Sequence, residues 1–197
     1  MEQVMDAGTQ RGLTSLNFQI DLAASRITVQ AFATGLLSAF GHNPRISIRD
    51  YDGEIEFIPE TYEKAFVKIT VQMRAMEVLD EMKNDDRRKL ENDMYHNVLD
   101  VDRFPTAVFE SKQIMVQKLS NDLVQAHVVG ELSFHGVTRA ETIDARVTNM
   151  GTMLRASGEF TLRQSDYGIK PISFAAGALR LKDELKFRFE LVARQQE

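Results

Sequence analysis

The chain has 197 residues, 27% charged and 43% hydrophobic, with a formal net charge of −5. That length suits a single all-β barrel, and the interspersed acids and bases speak against the clustered basic footprint a nucleic-acid partner needs. There is no cysteine, which excludes disulfides, thiolate metal sites and cysteine nucleophiles.

Residues 1–13 are read as a tail ahead of one domain over 14–197; the first basic residue is Arg11. No apolar run has signal-peptide or membrane-spanning length, so the expected location is cytoplasmic. A first strand is expected over Arg26–Ala33, where Ile27, Val29 and Ala31 share a face. Gly35–Pro44 carries two glycines and a proline and is read as a loop or short turn against the sheet. Asp52-Gly53, flanked by Ile46/Ile48 and Ile55/Phe57, predicts a two-residue hairpin. A single long strand is then expected over Ala65–Val78, with Val67, Ile69, Val71, Met73 and Ala75 on one face.

The period changes over Asn84–Leu99, where Leu90, Met94, Tyr95 and Val98 fall at helical spacing and Asn84 or Asp85 is the expected cap. Three strands follow, Thr106–Leu119, Leu123–His135 and Arg139–Thr148. Two strictly alternating stretches come last. Leu154, Ala156, Gly158, Phe160 and Leu162 share one parity, and Leu185, Phe187, Phe189 and Leu191 share another. Between them Ser165–Ala178 is read as a long loop. Each such strand has one dry and one wet face. With one helix to cover the dry face, the sheet is expected to curl into an up-and-down antiparallel barrel of eight or nine strands.

An eight-strand barrel is filled by side chains or holds one small ligand. Phe40, Phe57, Ile69, Val71, Met73, Phe109, Leu132, Phe134, Phe160 and Phe187 are candidates for the inner wall, either packing one another or lining a cavity. Gly130 and Gly158, in dry registers, leave room for a cavity or for a close approach. Nine methionines suit an adaptable lining. Burying an apolar ligand in such a cavity contributes about 0.8 kcal/mol per CH₂, so retention would need no polar contact.

His127 and His135, eight residues apart on one expected strand, would lie roughly 26 Å apart and could not share a metal. His96 is placed at the helix rim. His42 either bonds nearby backbone or makes a polar contact to a bound ligand. Arg163 and Asp166 form a local ion pair or capped turn, or Arg163 sits at the rim as a head-group ligand. Lys64, Lys83, Arg87, Arg88 and Lys89 are read as a solvated basic group near the helix. Neither a nucleophile elbow nor a phosphate loop nor a His-Glu-x-x-His helix occurs; no catalytic residue and no metal site is expected.

Phe104-Pro105-Thr106-Ala107-Val108-Phe109-Glu110-Ser111, Leu132-Ser133-Phe134-His135-Gly136-Val137-Thr138-Arg139 and Arg163-Gln164-Ser165-Asp166-Tyr167-Gly168-Ile169 resemble three ordered segments of the YceI-like, polyisoprenoid-binding, lipocalin-like family. The resemblance covers roughly Ser25 to Ala193. At the start of the domain it departs from the usual pattern, with Ser38-Ala39-Phe40-Gly41-His42-Asn43 in its place. It implies an eight-stranded barrel, one helix plugging or lidding it, and an apolar tunnel for a long isoprenoid, quinone-like or fatty amphiphile. The expected function is binding and carriage of such a ligand, with no other cofactor. An enzyme using His42 on a hydrophobic substrate, a filled barrel acting as an interaction module, and pairing with a second copy all stay open. The expected ligand-binding residues are Phe40, His42, Phe57, Ile69, Val71, Met73, Phe109, Leu132, Phe134, Phe160, Arg163 and Phe187.

Overall fold

The structure, a computed structural model, describes residues 15–34, 43–59, 61–171, 173–174 and 179–196. In chain order the strands are β1 Leu16–Ile20, β2 Arg26–Gln30, β3 Ala33–Thr34, β4 Arg45–Ile48, β5 Tyr51–Ile58, β6 Thr61–Gln72 and β7 Met76–Val78. The helix α1 Asn84–Asp93 follows. Then come β8 Thr106–Lys118, β9 Leu123–Phe134, β10 Val137–Asn149, β11 Met153–Arg163, β12 Ser173–Phe174, β13 Leu179–Leu181 and β14 Glu184–Gln195.

The strands from β8 onward obey their alternation. The antiparallel ladder runs from β8 through β9, β10 and β11 to β14. The other three members of the wall are each broken in two. One half of the barrel closes as β14–β1–β5–β6–β8. The other half continues from β14 through β2 and β4 to β7. Counting β1 with β2, β4 with β5 and β6 with β7, eight antiparallel members close the barrel. A small sheet of β12, β13 and β3 stands beside it.

The β4–β5 and β6–β7 breaks are bonded to each other, and the β1–β2 break is bonded to the unbroken β14. Gln72 N donates to Asp50 O at 3.0 Å and Arg49 N to Ala75 O at 2.6 Å. Asp21 N donates to Val192 O, and the Ser25 hydroxyl accepts from Val192 N at 2.9 Å. Each break shifts the inward parity: Met73 and then Met76 are inward, with Val78 buried two residues on. The expected single strand over Ala65–Val78 is therefore two strands, and Ala75 lies in the kink between them. Asp52-Gly53 is likewise no hairpin turn; both residues pair inside β5, opposite Thr70 and Ile69. Glycine stands there because a Cβ would lie 2.6 Å from Ile20 Cδ1. The real two-residue turn is His135-Gly136, with φ of +50° and +76°, joining Phe134 to Val137. His135 thus ends β9 and does not share its strand with His127.

Helix α1 covers an edge. β7 pairs with β4 on one side, and among the described residues no strand pairs with its other side. Glu91 Oε1 accepts from Val78 N at 3.0 Å, Arg87 donates to Val78 O and Asp80 O, and the Tyr95 hydroxyl donates to Met76 O. Side chains of the helical segment thus satisfy a bare strand edge. The helix begins after Lys83 without a side-chain cap, so Asn84 and Asp85 fall inside its first turn. Its last turn, Met94–Val98, widens to a π-helical one, and Met94, Val98 and Leu99 all reach the interior. The expected basic group dissolves: Arg87 is spent on β7, and Lys64 sits on β6 near its Thr61 end, away from the helix.

The helix end of the barrel is closed by a buried cluster that includes Met73, Met94, Leu99, Val101, Leu162, Tyr167 and Ile169. Tyr167 anchors it. Its ring is fully buried, its hydroxyl donates to Glu141 Oε1 at 2.6 Å, and its carbonyl accepts from His135 Nδ1 at 3.0 Å. Burial first, then the Glu141 carboxylate, pushes the phenol well above its usual range. A raised folded-state value makes this contribution fully present below the unfolded tyrosine pKa, near 10, and lost as pH rises toward the folded value. Tyr167→Phe should lower stability by about 1–3 kcal/mol at neutral pH and flatten the alkaline fall in stability, read by denaturant titrations from pH 8 to 11. An unchanged alkaline limb would refute this. Gly158→Ala should cost at least about 1–3 kcal/mol, because its Cβ would lie 2.6 Å from Phe189 Cζ and against Asp144 O; urea unfolding of the variant measures it.

Candidate ligand-binding cavity

The inward registers of all eight members face one cavity of about 330 Å³. Of the expected ligand-binding residues, Phe57, Ile69, Val71, Met73, Phe109, Leu132, Phe134, Phe160 and Phe187 line it. Phe40 and His42 lie outside the described residues. Ile69, Val71, Leu132, Phe134, Phe160 and Phe187 are only half-buried although they point to the barrel axis. The surface they keep faces the cavity, which a packed interior would not leave them. The described residues thus leave the interior hollow, which speaks against the filled-barrel alternative.

The cavity is long. On β9 the lining runs from Val124 through Ala126, Val128 and Leu132 to Phe134. That is ~33 Å of strand, or roughly 25 Å along the axis at the usual barrel tilt. What keeps it open is a set of small side chains. Ala126 and Ala145 face each other directly across β9 and β10, and Ala156 and Ala193 continue the patch on β11 and β14. The inward glycines play a different part. A Cβ on Gly130 would lie 2.6 Å from Phe109 Cζ, and one on Gly158 equally near Phe189. These glycines seat aromatic rings flat against the wall and add no void. Phe160 and Phe187, cross-strand partners, stack at 4.9 Å.

Polar groups are confined to the two ends. Gln164, buried at the helix end, donates from Nε2 to Lys182 O at 3.0 Å. Asp122 and Asn149 line the opposite end, where the β8–β9 and β10–β11 turns meet. Arg163 is not at the cavity. It occupies the outward register of β11 and pairs with Asp183 at 3.1 Å. The expected pair with Asp166 is replaced: Asp166 lies 3.9 Å from Arg139, and Asp183 instead caps the turn through Ser165 N at 2.7 Å. The Ser165 hydroxyl, its backbone N–H and Arg163 hold the Asp183 carboxyl below its usual range.

The described histidines, His96, His127 and His135, are absent from the cavity lining. His127 Nδ1 meets Asp144 at 2.7 Å on the outer face, and His96 Nδ1 lies 3.5 Å from Asp102. Among the described residues no group of three or more side chains could hold a metal ion. Lining residues that sequence reasoning missed include Ile20, Ile46, Met76, Gln164 and the alanines. Their signal was register: each follows the inward parity of its own strand, once the breaks are located.

The chain resembles known proteins at three levels. Residues 18–193 match the YceI-like domain. UPF0312 proteins of Pseudomonas paraeruginosa and Pseudomonas aeruginosa are 30% identical over 130 residues, 61% of this chain and 61% of theirs. Among solved structures, Burkholderia cenocepacia BcnA superposes with a TM-score of 0.68 at 16% identity, over 88% of this chain and 98% of that one. A polyisoprenoid binding domain from Saccharophagus degradans, implicated in plant cell wall breakdown, superposes with a TM-score of 0.68 at 12% identity, over 92% and 99%. With most of its length matched to the domain and the same barrel in its structural neighbours, the chain belongs to the YceI-like family.

Proposed function

We propose that the barrel binds and carries one long-chain isoprenoid, quinone-like or fatty amphiphile, without chemical turnover. The observation that carries this reading is the continuous apolar bore, whose own wall residues stay half-exposed to it. Ten buried methylenes contribute on the order of 8 kcal/mol before the costs of ordering the ligand, so tail burial alone supports retention. The likeness to a polyisoprenoid binding domain supports the same ligand class. Among the described residues, the titratable side chains of the lining are Asp122 and Tyr62, which are not a placed acid–base pair, and this favours carriage over turnover.

Protein purified without detergent and denatured in organic solvent should release about one equivalent of an apolar compound, identified by mass spectrometry. Leu132→Trp or Phe160→Trp should cut uptake of geranylgeraniol by lipid-stripped protein at least about tenfold, with the urea midpoint changed far less. A clean extract, together with stripped protein that takes up no geranylgeraniol, would overturn carriage. Equal losses of uptake and folding would overturn the bore as the site.

A further inference from the structure

Three neighbouring strands end their inward columns in the same way. On β8 the register passes from Ile114 and Val116 to Lys118; on β9, from Ala126 and Val124 to Asp122; on β10, from Ala145 and Val147 to Asn149. Lys118 pairs with Val124 in the ladder, and Asn149 N donates to Asp122 O at 2.8 Å. The three polar residues thus stand together around one end of the bore, and Asp122 and Asn149 belong to its lining. Lys118 and Asp122 enter no ion pair among the described residues. Asn149 Oδ1 accepts from Gly151 N at 2.9 Å, which leaves its amide N–H₂ to face a ligand. The other end is lined by the buried apolar cluster around Met94 and Tyr167.

Resting on the proposed carrier function, we infer that Lys118, Asp122 and Asn149 form the head-group site of the bound amphiphile. The tail runs inward to the helix end. The chemistry selects an uncharged hydrogen-bonding head, such as an alcohol, phenol or quinone carbonyl. Lys118 and Asn149 donate, Asp122 accepts, and the Asp122 carboxylate opposes a phosphate. A head group at this end keeps contact with water, whereas at the helix end it would be desolvated against an apolar cluster. Leu119 and Met150, 48% and 55% exposed on the flanking turns, give the tail an apolar step into the mouth.

The test uses full-length, lipid-stripped protein and displacement of the neutral fluorophore N-phenyl-1-naphthylamine. Competitors are geranylgeraniol, geranylgeranyl phosphate and the C20 hydrocarbon lacking a head. Lys118→Met, Asp122→Asn and Asn149→Asp (which keeps the acceptor for Gly151) should each weaken the alcohol roughly 3- to 10-fold and leave the hydrocarbon unchanged. Gln164→Leu, at the opposite end of the lining, should change alcohol and hydrocarbon alike, and the phosphate should bind wild type more weakly than the alcohol, with the gap narrowed by Asp122→Asn. Selective loss in Gln164→Leu alone would reverse the orientation and overturn the site. Mouth variants that bind the alcohol like wild type, or a phosphate that binds wild type best, would also overturn it. A wild-type protein that binds the hydrocarbon but not the alcohol would sink the head-group site and spare the carrier; one that binds none of the three would sink both.

Discussion

Eight strands fix a barrel's diameter, so what fills the interior is decided by the volume of the inward side chains. Here that volume falls short. The facing pair Ala126 and Ala145, with Ala156 and Ala193, takes bulk from four neighbouring strands toward the end where the β8–β9 and β10–β11 turns lie. The large aromatics do not make it up. Phe109 and Phe189 lie against the wall over Gly130 and Gly158, and Phe160 stacks flat on Phe187. The interior therefore stays apolar and unfilled by the described side chains. Every other feature of the fold either closes that space or decides how it meets water.

Closure has one weak flank, and the breaks in the wall explain it. Because β7 turns away after Met73, the wall between it and β8 lacks a ladder. Tightly bonded strands elsewhere contribute many mutually dependent hydrogen bonds. This flank is held instead by Glu91, Arg87 and Tyr95 reaching β7 backbone, together with an apolar stripe from Leu90 to Leu99. No residue of α1 itself is fully buried. Side-chain bonds that water can replace contribute about 1 kcal/mol each, so the helix is the least strongly held part of the wall.

The strands legible in the sequence were those whose two faces see uniformly different surroundings. From Thr106 to Leu191 alternation alone located the ladder, and nine of the expected inner residues do line the bore. Failures cluster at the breaks. A two-residue period carries no information about a kink except through a change of parity, and Met73 followed by Met76 and Val78 was that change. Leu16, Phe18 and Ile20 also alternate, yet β1 was too short to stand out beside the tail that precedes it. Asp52-Gly53 misled because glycine serves two needs, positive φ and close approach; only the packing of Ile20 against the strand distinguishes them. Arg163 misled because its residue type was weighed before its register.

A bore lined in this way cannot read chemistry along its length. Apolar contact is non-directional, so the wall distinguishes ligands by length and girth alone. Discrimination among tails of equal length must arise where the lining changes character, and it changes only at its two extremes. One of these is a single buried glutamine whose amide already serves the Lys182 carbonyl. The other is an open rim where three inward columns turn polar at the same level. Because those columns are adjacent and joined by the bond from Asn149 N to Asp122 O, the polar boundary sits at one level on neighbouring strands, where the protein interior gives way to water.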